Sequence, residues 1–134
     1  MEARVKWIED KRFLGEGDSG HGVVVDASTE KLGSSPMELL LIGTAGCTAY
    51  DVLSILQKKR QQVTGLEVRA QARRADAPPK VYTEIELEYV VRGKEIKPDD
   101  VEEAIRLSKE KYCSASIMLG KTATVHTAFR IEGD

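Results

Sequence analysis

Apolar positions recur along this chain first with a period of two, then almost without a break, then with a period of two again. Ala3, Val5 and Trp7 alternate with Arg4, Lys6 and Ile8, the spacing of a half-buried strand. Lys11–Gly15 and His21–Asp26 predict two more strands, punctuated by Gly15, Gly17 and Gly20. A polar loop follows from Ala27 to Ser35. Ser35-Pro36-Met37-Glu38 then reads as a helix start. Ser35 can accept from a free first-turn N–H, Pro36 has no N–H to lose there, and Glu38 faces the positive helix end. The helix is predicted to run to about Arg60, where Lys58, Lys59 and Arg60 suit its negative end.

The first half of that helix is apolar nearly all round, a pattern that predicts burial on every side. Few other elements remain in the chain to wrap it, so a partner subunit is expected to complete the core, as a homodimer, with burial on three sides within one chain as the alternative. The apolar run itself, Met37 to Ala49, covers thirteen residues and is interrupted by Glu38, Thr44 and Thr48. A membrane span needs about 20 predominantly apolar residues, so no membrane association is expected.

Leu66–Arg74 and Lys80–Arg92 predict a strand pair joined through Ala75-Asp76-Ala77-Pro78-Pro79. In the second strand, Val81, Thr83, Ile85, Leu87, Tyr89 and Val91 share one face, and Glu84, Glu86 and Glu88 line a solvated one. Pro98 and the acids behind it open another helix, which Lys109 and Lys111 close. Val101, Ile105, Ser108 and Tyr112 form its inward stripe, with Cys113 at the edge. A short helix over Ser114–Leu119 and a strand over Thr122–Ile131 complete the chain. The predicted order, βββ-α-ββ-α-α-β, is α+β, and it excludes a Rossmann or barrel repeat.

Length and charge narrow the partners. The 134 residues suit one domain, 1–134. Twenty basic against twenty-two acidic residues, a net charge of −2, give no basic excess for phosphate contacts, so no nucleic acid is expected. The alternating, charged N-terminus has no signal-peptide pattern, which points to a cytoplasmic protein. In that reducing setting the two cysteines, Cys47 and Cys113, read as buried thiols, redox groups or metal ligands rather than as a permanent disulfide.

Cys47 sits among small residues, Gly43-Thr44-Ala45-Gly46-Cys47-Thr48-Ala49. That run allows close helix packing, or leaves room for a ligand beside the sulfur. An inert buried thiol and a reactive one both fit. Cys47 lies about three turns from Pro36, beyond reach of the helix end, and Asp51 one turn on opposes a thiolate if it faces the sulfur. Cys113 closes one helix and precedes another, positions of opposite electrostatics. Cys47, Cys113, His21 and His126 show no CxxC or HxxxH spacing, so no metal and no cofactor are predicted. Gly15-Glu16-Gly17-Asp18-Ser19-Gly20 has the letters of a dinucleotide loop but leads into a strand-like HGVVVD, not a helix.

Ser35-Pro36-Met37-Glu38-Leu39-Leu40-Leu41, the run Gly46-Cys47-Thr48-Ala49-Tyr50-Asp51-Val52, Ile55–Arg60 and Leu107–Cys113 together resemble the OsmC/Ohr family, the osmotically inducible and organic hydroperoxide resistance proteins. The CTAxDV pattern at Cys47–Val52 is similar to the YhfA-like branch. The resemblance spans nearly the whole chain. It implies an intertwined homodimer with central helices buried between sheets, and a thiol-dependent peroxidase acting on organic hydroperoxides. Cys47 would be the peroxidatic thiolate and Cys113 the resolving thiol. A dithiol, such as a lipoylated protein, would reduce the resulting disulfide. Arg12 is the nearest match to the family's catalytic arginine. Family members orient that arginine with a glutamate directly after the helix proline. Here Met37 holds that place and Glu38 comes next, about 100° further round the helix. A non-catalytic ligand-binding or redox-sensing module is the alternative reading of the same pocket.

Overall fold

The computed structural model describes residues 1–133, arranged as two compact units, one from Met1 to Leu41 and one from Ile42 onward. The fold is α+β, as the hydrophobic pattern predicts.

The first unit is a meander of β1 (Ala3–Glu9), β2 (Arg12–Gly17) and β3 (Gly22–Asp26), antiparallel throughout and ordered β1-β2-β3. Gly20 turns the chain into β3 with a φ of 77°, a conformation glycine adopts without a Cβ penalty. The GxGxxG letters therefore form a strand and a turn, with no helix behind them. β1 departs from the half-buried reading: all seven of its residues are exposed, including Val5 and Trp7. Asp26, at the end of β3, is 2% exposed and accepts hydrogen bonds from the N–H groups of Ser28 (2.7 Å) and Leu32 (2.6 Å). Those bonds give the Ala27–Ser35 loop its shape.

Helix α1 (Pro36–Lys58) begins where the sequence predicts. Ser35 Oγ accepts from the Glu38 N–H at 3.1 Å, and Glu38 Oε1 accepts from the Ser35 N–H at 3.2 Å. This reciprocal cap satisfies two backbone donors that the first turn leaves free. At 23 residues, close to the predicted extent, α1 is long and apolar enough, by length and composition, to cross a membrane. Burial on all sides is not met within the chain. Only Thr44, Thr48, Val52 and Leu56 are buried, a single stripe one residue wide, while Leu40, Ile42 and Tyr50 are exposed.

The second unit is a sheet ordered β4-β5-β6, from β4 (Gln62–Arg74), β5 (Tyr82–Lys94) and β6 (Thr124–Glu132). β4 and β5 are antiparallel, and β6 returns parallel to β5 after α2 (Pro98–Leu107), a π-helical turn (Ser108–Tyr112) and α3 (Ser114–Leu119). Matching rows cross the sheet on its inner side, such as Val68, Tyr89 and Phe129, or Leu66, Val91 and Ile131. The outer side carries Glu84 and Glu86 in solvent, as predicted, and ion pairs such as Arg69–Glu67 at 2.8 Å.

Two details of register correct the sequence reading. Arg73 pairs with Glu84 but Arg74 with Tyr82, so Thr83 is an extra residue in β5. A bulge shifts every residue beyond it to the other face. Tyr82 is therefore the buried residue, and Val81 is exposed. The second correction lies at the end of α2. The Cys113 N–H bonds the Ser108 carbonyl five residues back, at 2.8 Å, and this wider turn breaks the 3.6-residue stripe. Tyr112 turns out to solvent, and Cys113 takes the fully buried place.

Lys59 fixes the end of α1 to α2 through Glu103 (2.7 Å) and Asp100 (3.7 Å), and Gln61 accepts from the Lys97 N–H at 2.9 Å. These ties set the position of α2, and hence of the π turn, against the Thr48 face of α1.

Candidate functional site

Thr48 and Asp51 lie about one turn apart on α1 and share a face. The π turn brings Ser108 against that face. The Thr48 hydroxyl lies 2.7 Å from Ser108 Oγ and 2.8 Å from the Tyr89 hydroxyl, and Ser108 Oγ donates to Asp51 Oδ2 at 3.1 Å. An ionised carboxylate only accepts, and each hydroxyl has one proton to give. The direction is therefore fixed: Tyr89 donates to Thr48, Thr48 to Ser108, and Ser108 to Asp51. Thr48, Tyr89 and Ser108 are all buried, so this chain satisfies groups that would otherwise be costly inside an apolar core. Burial also pushes the Tyr89 phenol above its ordinary pKa, with the nearby Cys113 and Asp51 adding to the effect.

The two cysteines meet at the end of this chain of hydroxyls. Cys47 Sγ, Cys113 Sγ and an Asp51 carboxylate oxygen all lie within 4.8 Å of one another. Both thiols are free; Cys47 is half-buried and Cys113 fully buried. Asp51 faces the sulfurs, the orientation in which it opposes a thiolate. Cys113 is the N-cap of α3, and its Sγ accepts from the Ser116 N–H at 3.4 Å. This resolves which of its two helix ends governs its geometry. Burial nevertheless pushes the Cys113 thiol up, the hydrogen bonds from Ser116 only partly offsetting it, and the adjacent Cys47 pushes the same way.

The structure brings together Cys47 and Cys113, and adds Asp51, Ser108, Thr48 and Tyr89 to them. Arg12 and Glu38 belong to the first unit. The Arg12 guanidinium lies 3.3 Å from Glu30, 3.4 Å from Glu9 and 3.3 Å from Ser28 Oγ. Glu38 is engaged in the cap with Ser35. His21 is exposed, and exposed His126 lies on the outer face of the second sheet, in a depression of about 590 Å³ with Arg69, Glu86 and Arg130. Neither histidine joins the thiols. The hydroxyl chain had one trace in the sequence: Thr48 and Ser108 are polar residues placed on otherwise apolar stripes.

A family model for OsmC-like proteins matches residues 28–128. The chain belongs to the OsmC-like family. It is 42% identical to protein YhfA of Escherichia coli K12 over 131 residues, 98% of each chain. Among solved structures, this OsmC-like protein is similar to a hypothetical protein from Aquifex aeolicus VF5. The TM-score is 0.91 at 32% identity, covering 99% of this chain and 96% of that one. It shares its fold with the organic hydroperoxide resistance protein OhrB of Bacillus subtilis. There the TM-score is 0.66 at 16% identity, covering 97% of this chain and 98% of OhrB.

Proposed function

We propose that this OsmC-like protein is a dithiol-dependent peroxidase for organic hydroperoxides, with Cys47 as the attacking thiolate and Cys113 as the resolving thiol. The observation that carries the reading is the pair of free sulfurs within 4.8 Å, of which only Cys47 is partly open to solvent. Cys47 thiolate attacks the distal oxygen of the hydroperoxide. The O–O bond breaks, Cys47 becomes a sulfenic acid, and the alkoxide takes a proton to leave as the alcohol. The Cys113 thiol then attacks the Cys47 sulfur, forming the disulfide and releasing water. The sulfurs close to about 2.05 Å in that step. A resolving thiol at this distance protects the sulfenate from irreversible further oxidation. A dithiol, such as a lipoylated protein in a reducing cytoplasm, returns both cysteines to thiols by exchange.

The same reading makes the working unit a homodimer. Exposed Leu40, Ile42 and Tyr50 on α1, and Val5 and Trp7 on β1, support it, because apolar surface on this scale is usually covered by a partner. The Asp51 carboxylate beside the sulfurs favours a second reading, a redox sensor that oxidises once and does not turn over.

Peroxide consumption with a dithiol reductant separates the two. Sustained turnover by the wild type, lost in Cys47→Ser, is expected. A single oxidation per chain without turnover selects the sensor, and equal rates in wild type and Cys47→Ser overturn both.

A further inference from the structure

The three donor atoms at the thiol pair have a second chemistry. Cys47 and Cys113 offer two sulfurs and Asp51 one carboxylate oxygen, all within 4.8 Å. A tetrahedral zinc-like ion, with M–S near 2.3 Å and M–O near 2.0 Å, spaces its donors by roughly 3.5–3.8 Å. Each pair thus needs to close by about 1.0–1.3 Å at most, a change of the kind that side-chain rotation of Cys47 and Asp51, both half-buried, supplies. Borderline and soft divalent cations prefer such thiolate-rich sets, whereas magnesium and calcium require oxygen.

The surroundings fit a ligand set rather than a chance cluster. Asp51 is already oriented by a donor, Ser108 Oγ at 3.1 Å, itself held by Thr48 and, behind it, Tyr89. Cys113 Sγ is oriented by the Ser116 N–H at 3.4 Å. Outer partners of this kind fix ligands in protein metal sites. A divalent cation would offset the negative charge that two thiols gather beside a carboxylate as they give up their protons to bind it.

From this geometry we infer that Cys47, Cys113 and Asp51 form a site for a thiophilic divalent cation of the zinc type. The two thiols give up their protons on binding, and the fourth position opens on the solvent side of Cys47. The site goes beyond the peroxidase reading and does not depend on it. Metal and hydroperoxide compete for the same sulfur lone pairs, so the loaded protein is protected from oxidation. The CxxC and HxxxH criteria missed the site because the third ligand is a carboxylate and the second sulfur comes from a distant element.

Cobalt(II) added to the reduced full-length chain without oxygen tests this with no peroxide present. One ion per chain is expected, with the intense visible bands of a tetrahedral site and a sulfur-to-metal charge-transfer band, both lost when zinc displaces it. Asp51→Asn keeps an acceptor for Ser108 and removes the anionic ligand. It should weaken binding ten- to a hundredfold, the range in which site residues act. Cys47→Ser and Cys113→Ser should each abolish the charge-transfer band. Should either serine variant fold poorly, wild type with both thiols alkylated serves in its place and should bind no cobalt. A pale octahedral spectrum without charge transfer overturns the inference. So does undiminished binding in Asp51→Asn or after alkylation. Failure of peroxide turnover leaves these readouts untouched, so the two ideas fail separately.

Discussion

Thr48 and Ser108 share a hydrogen bond of 2.7 Å between hydroxyls that are almost wholly removed from solvent, and this bond couples the middle of α1 to the π turn before Cys113. Thr48→Val keeps the shape and removes the hydroxyl. Tyr89 then loses its acceptor, at about 1–3 kcal/mol for a buried unpaired group, while Ser108 loses a donor but keeps its bond to Asp51. A lower urea midpoint at unchanged slope is the expected result, since the native and unfolded surfaces hardly change. Faster alkylation of Cys113 should accompany it, because the π turn that buries this thiol is loosened.

Asp26 predicts an acid-sensitive first unit. Hydrogen bonds from Ser28 hold its carboxyl below the ordinary range against the opposing effect of burial, with Leu32 and Arg12 acting the same way as Ser28. A carboxyl lowered in the folded state stabilises the fold above its unfolded pKa, about 3.9, and loses that contribution as pH falls through the folded value. Asp26→Ala should be less stable than wild type at neutral pH. The gap should narrow as pH falls below about 4, measured by denaturant unfolding at stepped pH. A gap that stays constant would remove the carboxylate from the explanation.

Gly46 separates a helix in solution from a helix in an interface. A Cβ built there meets nothing within 4 Å in the single chain. On that basis Gly46→Ala should stabilise α1 by about 1 kcal/mol through helix propensity alone. The proposed homodimer reverses the sign, because a small residue on an apolar helix face permits close approach of a partner. Sedimentation equilibrium should show at least a tenfold weaker dimer. Tighter or unchanged association, with a higher melting temperature, would put the interface elsewhere.

For Arg12 the role of activating cation is what the family resemblance implies. That role predicts at least tenfold slower sulfenate formation at Cys47 in Arg12→Gln, followed by stopped-flow peroxide consumption. Glu9 and Glu30 lie within 3.4 Å of the guanidinium and would be left facing each other's charge. Circular dichroism on the same variant therefore tests that the fold is kept. Removing the other half of the expected pair, Glu38→Ala, loses the bond from the Ser35 N–H but keeps the one from the Glu38 N–H to Ser35 Oγ, and should cost about 0.5–1.5 kcal/mol of stability.

The sequence by itself determined the elements and their order. Period-two runs made the strands, and Ser35, Pro36 and Glu38 marked the start of α1, because caps and side-chain periodicity are local physics. It also put both cysteines in family-like motifs. Tertiary structure decided what those cysteines face. The bulge at Thr83 and the π turn at Ser108 each add a residue to a regular repeat, and no local pattern announces such an insertion. That one added residue turns Tyr112 out and Cys113 in. Only this rotation brings a sulfur from the end of one helix beside Cys47 and Asp51 on another, since their meeting depends on how α2 docks and not on any spacing along the chain.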